Sequence, residues 1–203
     1  MNLKTSKFTG KIRAALPAVA TLATAAIIAF GFNAGVSEQA TAKGKQIEMN
    51  PIVEFDTNKG VIKAIIYKRQ APLTSANFLD LVNRNFYNGL TFHRYEPGFC
   101  IQGGDPEGTG TGNFIDPVTH KIRYLKLEKK AELTHDSAGM LAMARTNDPD
   151  TASCQFYFTL APATFLDNPP GYAVFGKVIE GLDVVMSLRK GDKMTRVVEL
   201  PAK

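Results

Sequence analysis

The chain has 203 residues, 44% of them hydrophobic and 21% charged, and its formal net charge is +5. This length and composition are those of one globular domain with a buried apolar core, and they exclude fibrous and disordered proteins. The two cysteines are too few for a disulfide-stapled scaffold, so apolar packing has to stabilise the fold.

The positive charge is concentrated at the N terminus. Residues 1–42 hold four cations and one Glu, which is +3 of the total, so residues 43–203 carry only +2. A protein that binds a nucleic-acid backbone needs a clustered basic surface, and this part of the chain offers only a short run at Lys126, Lys129 and Lys130. We therefore expect no nucleic-acid partner.

The four cations precede an uncharged apolar run over residues 14–32 and a small-residue site at Ala40-Thr41-Ala42. This order is typical of an export signal, and the run is also close to the minimum of about 17 residues that could span a bilayer. Residues 1–42 are thus predicted to be a signal peptide or a membrane anchor, 43–50 a linker and 51–203 the folded domain. In both cases the domain lies outside the cytoplasm, because the cations favour the cytoplasmic side. Membrane contact is expected only through this segment.

The folded domain begins with a predicted hairpin and a helix. Extended runs over residues 52–57 and 61–67 flank Asn58-Lys59-Gly60, a strong turn signal. The apolar period then becomes helical, which predicts a helix of about three turns over residues 74–83.

A second hairpin is predicted around Glu96-Pro97-Gly98, between residues 90 and 102. Arg94 and Gln102 can then stand on neighbouring antiparallel strands whose alternate side chains share a face. The following segment, 103–112, is too rich in glycine for a strand and is predicted to be a loop. It lacks the Gly-Lys-Ser or Gly-Lys-Thr of a phosphate-binding loop.

The rest of the chain is predicted to form further strands and one more helix. The strands are placed at 138–144, 155–160, 172–178 and 194–200, with a short extended piece at 124–127 and the helix at 184–190. The elements do not alternate as βαβ units, so a mainly β fold is expected. A closed eight-stranded antiparallel barrel capped by two helices is the economical arrangement, and a β-sandwich is the alternative.

The spacing of the candidate catalytic side chains argues against a nucleophile with its base and against a metal site. Cys100 lies in an apolar run without a recognisable base beyond His93, and the three histidines have no acidic or thiol partners at metal-binding spacing. Strand alternation predicts that His93 faces away from Arg94 and is a hydrogen-bonded structural residue. An oxidising compartment would permit Cys100 and Cys154 to bridge, and the sequence leaves that open.

Six blocks of sequence resemble, in order, the motifs of the cyclophilins, a family of peptidyl-prolyl isomerases. They are Phe92-His93-Arg94, Pro97-Gly98-Phe99, Gln102-Gly103-Gly104-Asp105, Met143-Ala144-Arg145, Ser153-Cys154-Gln155-Phe156-Tyr157 and Phe175-Gly176-Lys177-Val178. Any one block is a weak signal, but together they extend over most of residues 52–200. The family's fold is an eight-stranded antiparallel barrel with two capping helices, which agrees with the pattern above.

The resemblance implies a role for particular residues. Arg94 would be the catalytic guanidinium. The proline socket would be lined by Phe99, Cys100, Tyr157, Phe165, Leu166 and Tyr172. The peptide chain would be contacted by Gln102, Ala144, Arg145, Thr146 and Gln155. The implied partners are proline-containing polypeptides, no cofactor or metal is used, and we expect a monomer.

Three positions depart from the family's usual residues. Cys100 stands where Met is frequent, Tyr157 where Phe is usual, and Phe165 where many members have the Trp that contacts cyclosporin. Isomerisation should survive these exchanges, whereas cyclosporin affinity is in doubt. The segments 145–153 and 167–171 are also longer than usual.

Prolyl isomerisation needs neither a nucleophile nor a metal. The barrier of ~18–20 kcal/mol reflects lost amide resonance, and the proline nitrogen regains its lone pair as the bond twists. A guanidinium donor aimed at that nitrogen stabilises the twisted state more than either planar one. We therefore expect an exported isomerase that assists protein folding. A non-catalytic peptide-binding chaperone is the main alternative, and a thiol-regulated sensor based on Cys100 is a third.

Overall fold

Eight antiparallel strands and two helices form the part of the chain that the computed structural model describes, residues 50–201. The predicted signal or anchor at 1–42 and nearly all of the linker lie outside the described residues. The strands are β1 (Ile52–Thr57), β2 (Gly60–Ile66), β3 (Phe92–Glu96), β4 (Cys100–Gly103), β5 (Met140–Met143), β6 (Phe156–Thr159), β7 (Val174–Glu180) and β8 (Met194–Glu199). The helices are α1 (Pro72–Asn83) and α2 (Leu182–Ser187), and 3₁₀ turns occupy Pro149–Thr151 and Thr164–Asp167.

The predicted elements are confirmed, with their ends within two residues of those expected, apart from three local differences. The piece predicted at 124–127 makes a single bridge, Leu125 to Ala152, instead of a strand. Helix α2 begins two residues earlier than expected and is only six residues long. The two 3₁₀ turns have no counterpart among the predicted elements. In residues 50–201 no helix has the length and apolar character required to cross a membrane.

The strands form one curled sheet in the order β3-β4-β6-β5-β7-β2-β1-β8. A closed barrel was predicted, and in this respect the prediction is wrong, because no strand ladder within the described residues joins β3 to β8. The two edges meet at their neighbouring ends, through the bridge of Thr91 with Lys193 and a short series of backbone hydrogen bonds. Among these are the bonds from the Phe92 N–H to the Asp192 carbonyl at 2.8 Å and from the Met194 N–H to the Leu90 carbonyl at 2.9 Å. The residues before Asp192 belong to the turn after α2, so on the side away from β4 the rest of β3 has no strand to pair with.

Helix α1 begins where a proline and a distant carboxylate satisfy its first turn. Pro72 occupies the start of the helix, where a missing N–H costs nothing. The buried Glu128 side chain accepts the Thr74 N–H at 2.8 Å. This contact fixes the loop that carries Glu128 against the helix. A carboxylate at this position also interacts favourably with the positive, N-terminal end of the helix dipole.

An aromatic cluster fills the space between α1 and the sheet. Phe78 of α1 contacts four rings, with centroid distances between 5.0 and 6.2 Å, and its own side chain is fully buried. The four rings are those of Phe55, Tyr87, Phe156 and Phe175. Such edge-to-face and tilted pairs add to the stabilisation by apolar burial. The strands that carry Phe156 and Phe175 are therefore packed rigidly against α1.

Arg123 connects the 113–125 segment to α1. Its guanidinium bonds Asp80 at 2.6 Å and Asp116 at 2.7 Å, and it lies 4.5 Å above the Phe114 ring. The Arg123 hydrogen bond, supported by backbone N–H donors, lowers the pKa of Asp116 from 3.8 to about 2.

This lowered pKa predicts a pH-dependent contribution to stability. Because the folded pKa of Asp116 is below its unfolded value, the contribution is complete above about pH 4 and is lost as the pH falls towards 2. Urea unfolding should therefore separate wild type from Asp116→Asn at pH 5, and the two curves should converge near pH 2. The exposed Asp136→Asn serves as the control. A difference between Asp116→Asn and wild type that is constant across this range would contradict the prediction.

Candidate active site

A cleft of about 660 Å³ opens over β3, β4, β6 and the turn at 164–167. One side is polar and contains two guanidinium groups, and the other is apolar and aromatic. The lining residues are His93, Arg94, Glu96, Phe99, Cys100, Gln102, Thr109, Gly110, Ala144, Arg145, Tyr157, Phe165, Leu166 and Tyr172.

A smaller cleft of about 190 Å³ adjoins the first and shares four of its residues. Most of its lining residues have polar side chains, and the full set is Gln102, Gly110, Thr111, Asn113, Ala144, Arg145, Thr146, Thr151, Ser153 and Gln155. The two clefts together form a continuous depression with an apolar end and a hydrogen-bonding end. An extended peptide could lie along it with one ring in the apolar end.

Arg94 lies at the rim of the larger cleft, and its side chain is 45% exposed. Its Nη1 donates to the Gln102 Oε1 at 3.2 Å, and its Nε reaches the Glu96 Oε1 at 3.4 Å. The guanidinium carbon lies 5.8 Å from the centre of the Phe99 ring. Within the described residues Nη2 has no hydrogen-bond partner, and a half-exposed ion pair of this kind is weak. Arg94 therefore keeps donors for a ligand in the cleft.

Two glutamines extend the Arg94 contact into the loop at 105–112. The Gln102 Nε2 donates to the Gln155 Oε1 at 2.9 Å, and the Gln155 Nε2 donates to the Gly110 and Gly112 carbonyls at 3.1 and 2.8 Å. Each amide is thereby held in one orientation, because its oxygen accepts from one neighbour and its nitrogen donates to the next. The position of Arg94 is thus coupled to the loop.

Asp105 shapes that glycine-rich loop. Its buried carboxylate accepts the N–H of Glu107 at 2.7 Å and also that of Gly110. Burial opposes the charged form, but these backbone donors outweigh it and lower the pKa of Asp105. The loop binds its own carboxylate, which agrees with the prediction that it is not a phosphate-binding loop.

Aromatic side chains form the walls of the apolar end. The Phe99 and Phe165 rings are 5.5 Å apart, and those of Tyr157 and Tyr172 are 6.3 Å apart. The Arg145 guanidinium lies 4.2 Å above the Tyr172 ring and donates to the Gly171 carbonyl at 2.7 Å. The Arg145 side chain thus holds Tyr172 and the segment around Gly171 in place at this wall of the cleft.

Cys100 is a buried free thiol at the base of this cleft, and Cys154 is a second free thiol in the core. Burial raises the pKa of Cys100 to about 11 and that of Cys154 to about 12. At neutral pH both are therefore almost entirely protonated and poorly nucleophilic. This protonation argues against the thiol-regulated sensor.

The side chain of His93 does not lie where strand alternation predicts. The pairing of β3 with β4 shifts by one residue between Phe92 and Arg94, which face Gly103 and Gln102 respectively. His93 is the extra residue of this bulge, and a bulge re-aims side chains. It lines the same cleft as Arg94, and neither ring nitrogen has a hydrogen-bond partner among the described residues. The prediction that it faces away from Arg94 and is hydrogen-bonded is wrong.

The structure places every predicted site residue in one of the two clefts. The catalytic and peptide-binding roles of these residues remain predictions. Thr146 and Gln155 line only the smaller cleft, and the others line the larger one. The sequence analysis did not find eight further lining residues. They are His93, Glu96, Thr109, Gly110, Thr111, Asn113, Thr151 and Ser153. The loop members among them carried no signal beyond glycine content.

The comparisons with known proteins all indicate the same enzyme activity. The family model described as cyclophilin type peptidyl-prolyl cis-trans isomerase/CLD matches residues 52–201. A peptidyl-prolyl cis-trans isomerase of Acinetobacter baylyi is 44% identical over 140 residues, covering 67% of this chain and 70% of that protein. Peptidyl-prolyl cis-trans isomerase ppi1 of Schizosaccharomyces pombe is 40% identical over 152 residues, covering 72% and 92%.

A solved structure is also similar. It is a Cryptosporidium parvum cyclophilin type peptidyl-prolyl cis-trans isomerase, crystallised in the presence of the dipeptide Ala-Pro. Its TM-score is 0.66 with 30% sequence identity, and the match covers 74% of this chain and 99% of that one. The region matched by the family model contains all residues of both clefts.

Proposed function

The chain belongs to the cyclophilin-type peptidyl-prolyl cis-trans isomerases, and we propose that it accelerates the folding of proline-containing proteins outside the cytoplasm with Arg94 as its catalytic group. Peptidyl-prolyl cis-trans isomerase activity follows from the family and from relatives of that name at 40–44% identity. A purely non-catalytic peptide-binding role is thereby disfavoured. The catalytic role of Arg94 is supported by the position of its guanidinium, which is half-exposed at the rim of an aromatic cleft. Within the described residues its Nη2 has no hydrogen-bond partner and can donate to a ligand.

Arg94 would act by differential binding of the twisted peptide bond. In the planar states the proline nitrogen shares its lone pair with the carbonyl and is a poor acceptor. At the twisted state the lone pair returns to nitrogen, so a guanidinium N–H gains a hydrogen bond that neither ground state offers. No proton has to be transferred, since the guanidinium stays charged throughout.

The rest of the site would hold the two ends of the bond differently. The aromatic end of the larger cleft, with Phe99, Tyr157 and Phe165, would take the proline ring. Backbone groups at Ala144 and Thr146 and the amide of Gln102 would hold the preceding residues while the bond rotates. The relative crystallised in the presence of Ala-Pro supports this choice of ligand.

The compartment is proposed from residues 1–42, because their cations followed by the apolar run at 14–32 have the order of an export signal. In a bacterial host that expresses the full chain, protease added to spheroplasts should digest the domain. A variant whose apolar run is interrupted by Leu22→Arg and Ile27→Lys should be protected. Mass spectrometry of the purified N terminus distinguishes a cleaved signal from an anchor. Protection of the wild-type domain would contradict the extracytoplasmic assignment.

A further inference from the structure

His135 is completely buried behind the apolar end of the cleft and is not one of its lining residues. Both of its ring nitrogens are nevertheless bonded to side chains that belong to the site or support it. Nδ1 lies 2.6 Å from the Asp167 Oδ1, and Nε2 lies 2.8 Å from the Tyr157 hydroxyl oxygen. The His135 and Tyr157 rings are nearly parallel, with an interplanar angle of 12° and centroids 5.9 Å apart.

The chemistry of the three groups assigns the hydrogens. A carboxylate only accepts, so Nδ1 carries a hydrogen and donates it to Asp167. In the neutral ring Nε2 is then an acceptor, and the Tyr157 hydroxyl donates to it. Burial raises the pKa of Tyr157 well above its ordinary value, so its hydroxyl keeps the hydrogen that this bond needs. For a neutral ring the order of donation is Tyr157 to His135 to Asp167.

This relay joins two walls of the socket that are otherwise carried by separate elements. Tyr157 belongs to β6, whereas Asp167 ends the 3₁₀ turn that carries Phe165 and Leu166. The backbone of His135 reinforces the link, because its N–H donates to the Asp167 carboxylate at 3.1 Å and its carbonyl accepts the Ala163 N–H at 2.8 Å. His135 thus bonds the β6 wall through its side chain, and the turn wall through both its side chain and its backbone.

We propose that His135 is a positioning residue of the proline socket, which fixes the Tyr157 ring relative to the turn that carries Phe165 and Leu166. The proposal rests on the proposed function of the cleft as the proline site. It also explains why a hydroxyl is tolerated at position 157, where a family member usually has Phe. A buried hydroxyl without a partner would be costly, and His135 supplies that partner.

Two conservative variants remove the contact from opposite sides. His135→Asn keeps a donor close to the Nδ1 position for Asp167 and loses the bond to Tyr157, whereas Tyr157→Phe removes only the hydroxyl. Since a net buried hydrogen bond contributes modestly, each variant should raise KM for a proline tetrapeptide about three- to tenfold, with kcat within twofold of wild type. The double variant should be no worse than the weaker-binding single variant, because both changes remove the same bond.

A matched control is His120→Asn, at an exposed turn position with φ of 55° outside both clefts, where Asn is well tolerated. It should leave KM unchanged. Peptide affinity measured by NMR titration gives the same comparison without turnover. If the wild type binds the peptide but does not isomerise it, the proposed function is refuted. The affinity comparison among the variants still tests the positioning role in that case. The positioning role is refuted if both single variants bind peptide within twofold of wild type, or if their effects multiply in the double variant.

Discussion

Replacing Arg94 by Ala should lower kcat/KM for a proline tetrapeptide about 30- to 1,000-fold and leave the fold unchanged. The reason is that the donor acts on a nitrogen lone pair that exists only in the twisted state. Removal of a comparable preorganised donor typically costs about 2–4 kcal/mol of transition-state stabilisation. Because the side chain is 45% exposed and its ion pair with Glu96 is loose at 3.4 Å, little folding free energy depends on it.

The measurement is a cis/trans isomerisation assay at several peptide concentrations, combined with thermal unfolding of each variant. Arg189→Ala is the matched control, since Arg189 is also an arginine against β3, stacked 4.6 Å from the Tyr95 ring, but is not among the residues that line either cleft. We expect it to retain wild-type turnover. Arg94→Lys should recover only part of the lost activity, because an ammonium lacks the rigid donor fork. Full turnover in Arg94→Ala would remove the catalytic role from this residue.

Replacing Phe78 by Ala should lower the free energy of unfolding by about 3–5 kcal/mol. The side chain is fully buried and contacts the rings of Phe55, Tyr87, Phe156 and Phe175, so the deletion leaves a cavity that several elements would have to collapse to fill. A loss of this size is a large fraction of the stability of a domain of this length. Urea unfolding measured by circular dichroism gives the value directly.

Phe165→Ala is the matched comparison for this prediction. The Phe165 side chain is 61% exposed in the cleft, so its removal should change the unfolding free energy by less than about 0.5 kcal/mol. It should instead weaken binding of the proline peptide, since it takes away one wall of the socket. Equal losses of stability in Phe78→Ala and Phe165→Ala would contradict the assignment of Phe78 to the core and of Phe165 to the site.

Features that depend on neighbours along the chain were predictable from the sequence. The turn Asn58-Lys59-Gly60 sets the pairing of β1 with β2, and Pro72 starts α1, because each acts through its own backbone geometry. The motif blocks also placed Arg94, Gln102 and Tyr157 in one site, since their order along the strands follows from the family resemblance. The charge and hydropathy of residues 1–42 predict export in the same local way.

Features that depend on contacts between distant segments were decided only by the tertiary structure. The bulge that turns His93 into the cleft comes from the pairing of β3 with β4, and the sheet stays open because the turn before Asp192 replaces the strand that would have closed it. His135 is 22 residues from Tyr157 and 32 from Asp167, and nothing in its surrounding sequence indicates that it bonds both. Local pattern specifies which backbone conformation a segment prefers, whereas a buried hydrogen bond between remote side chains exists only once packing has brought them together.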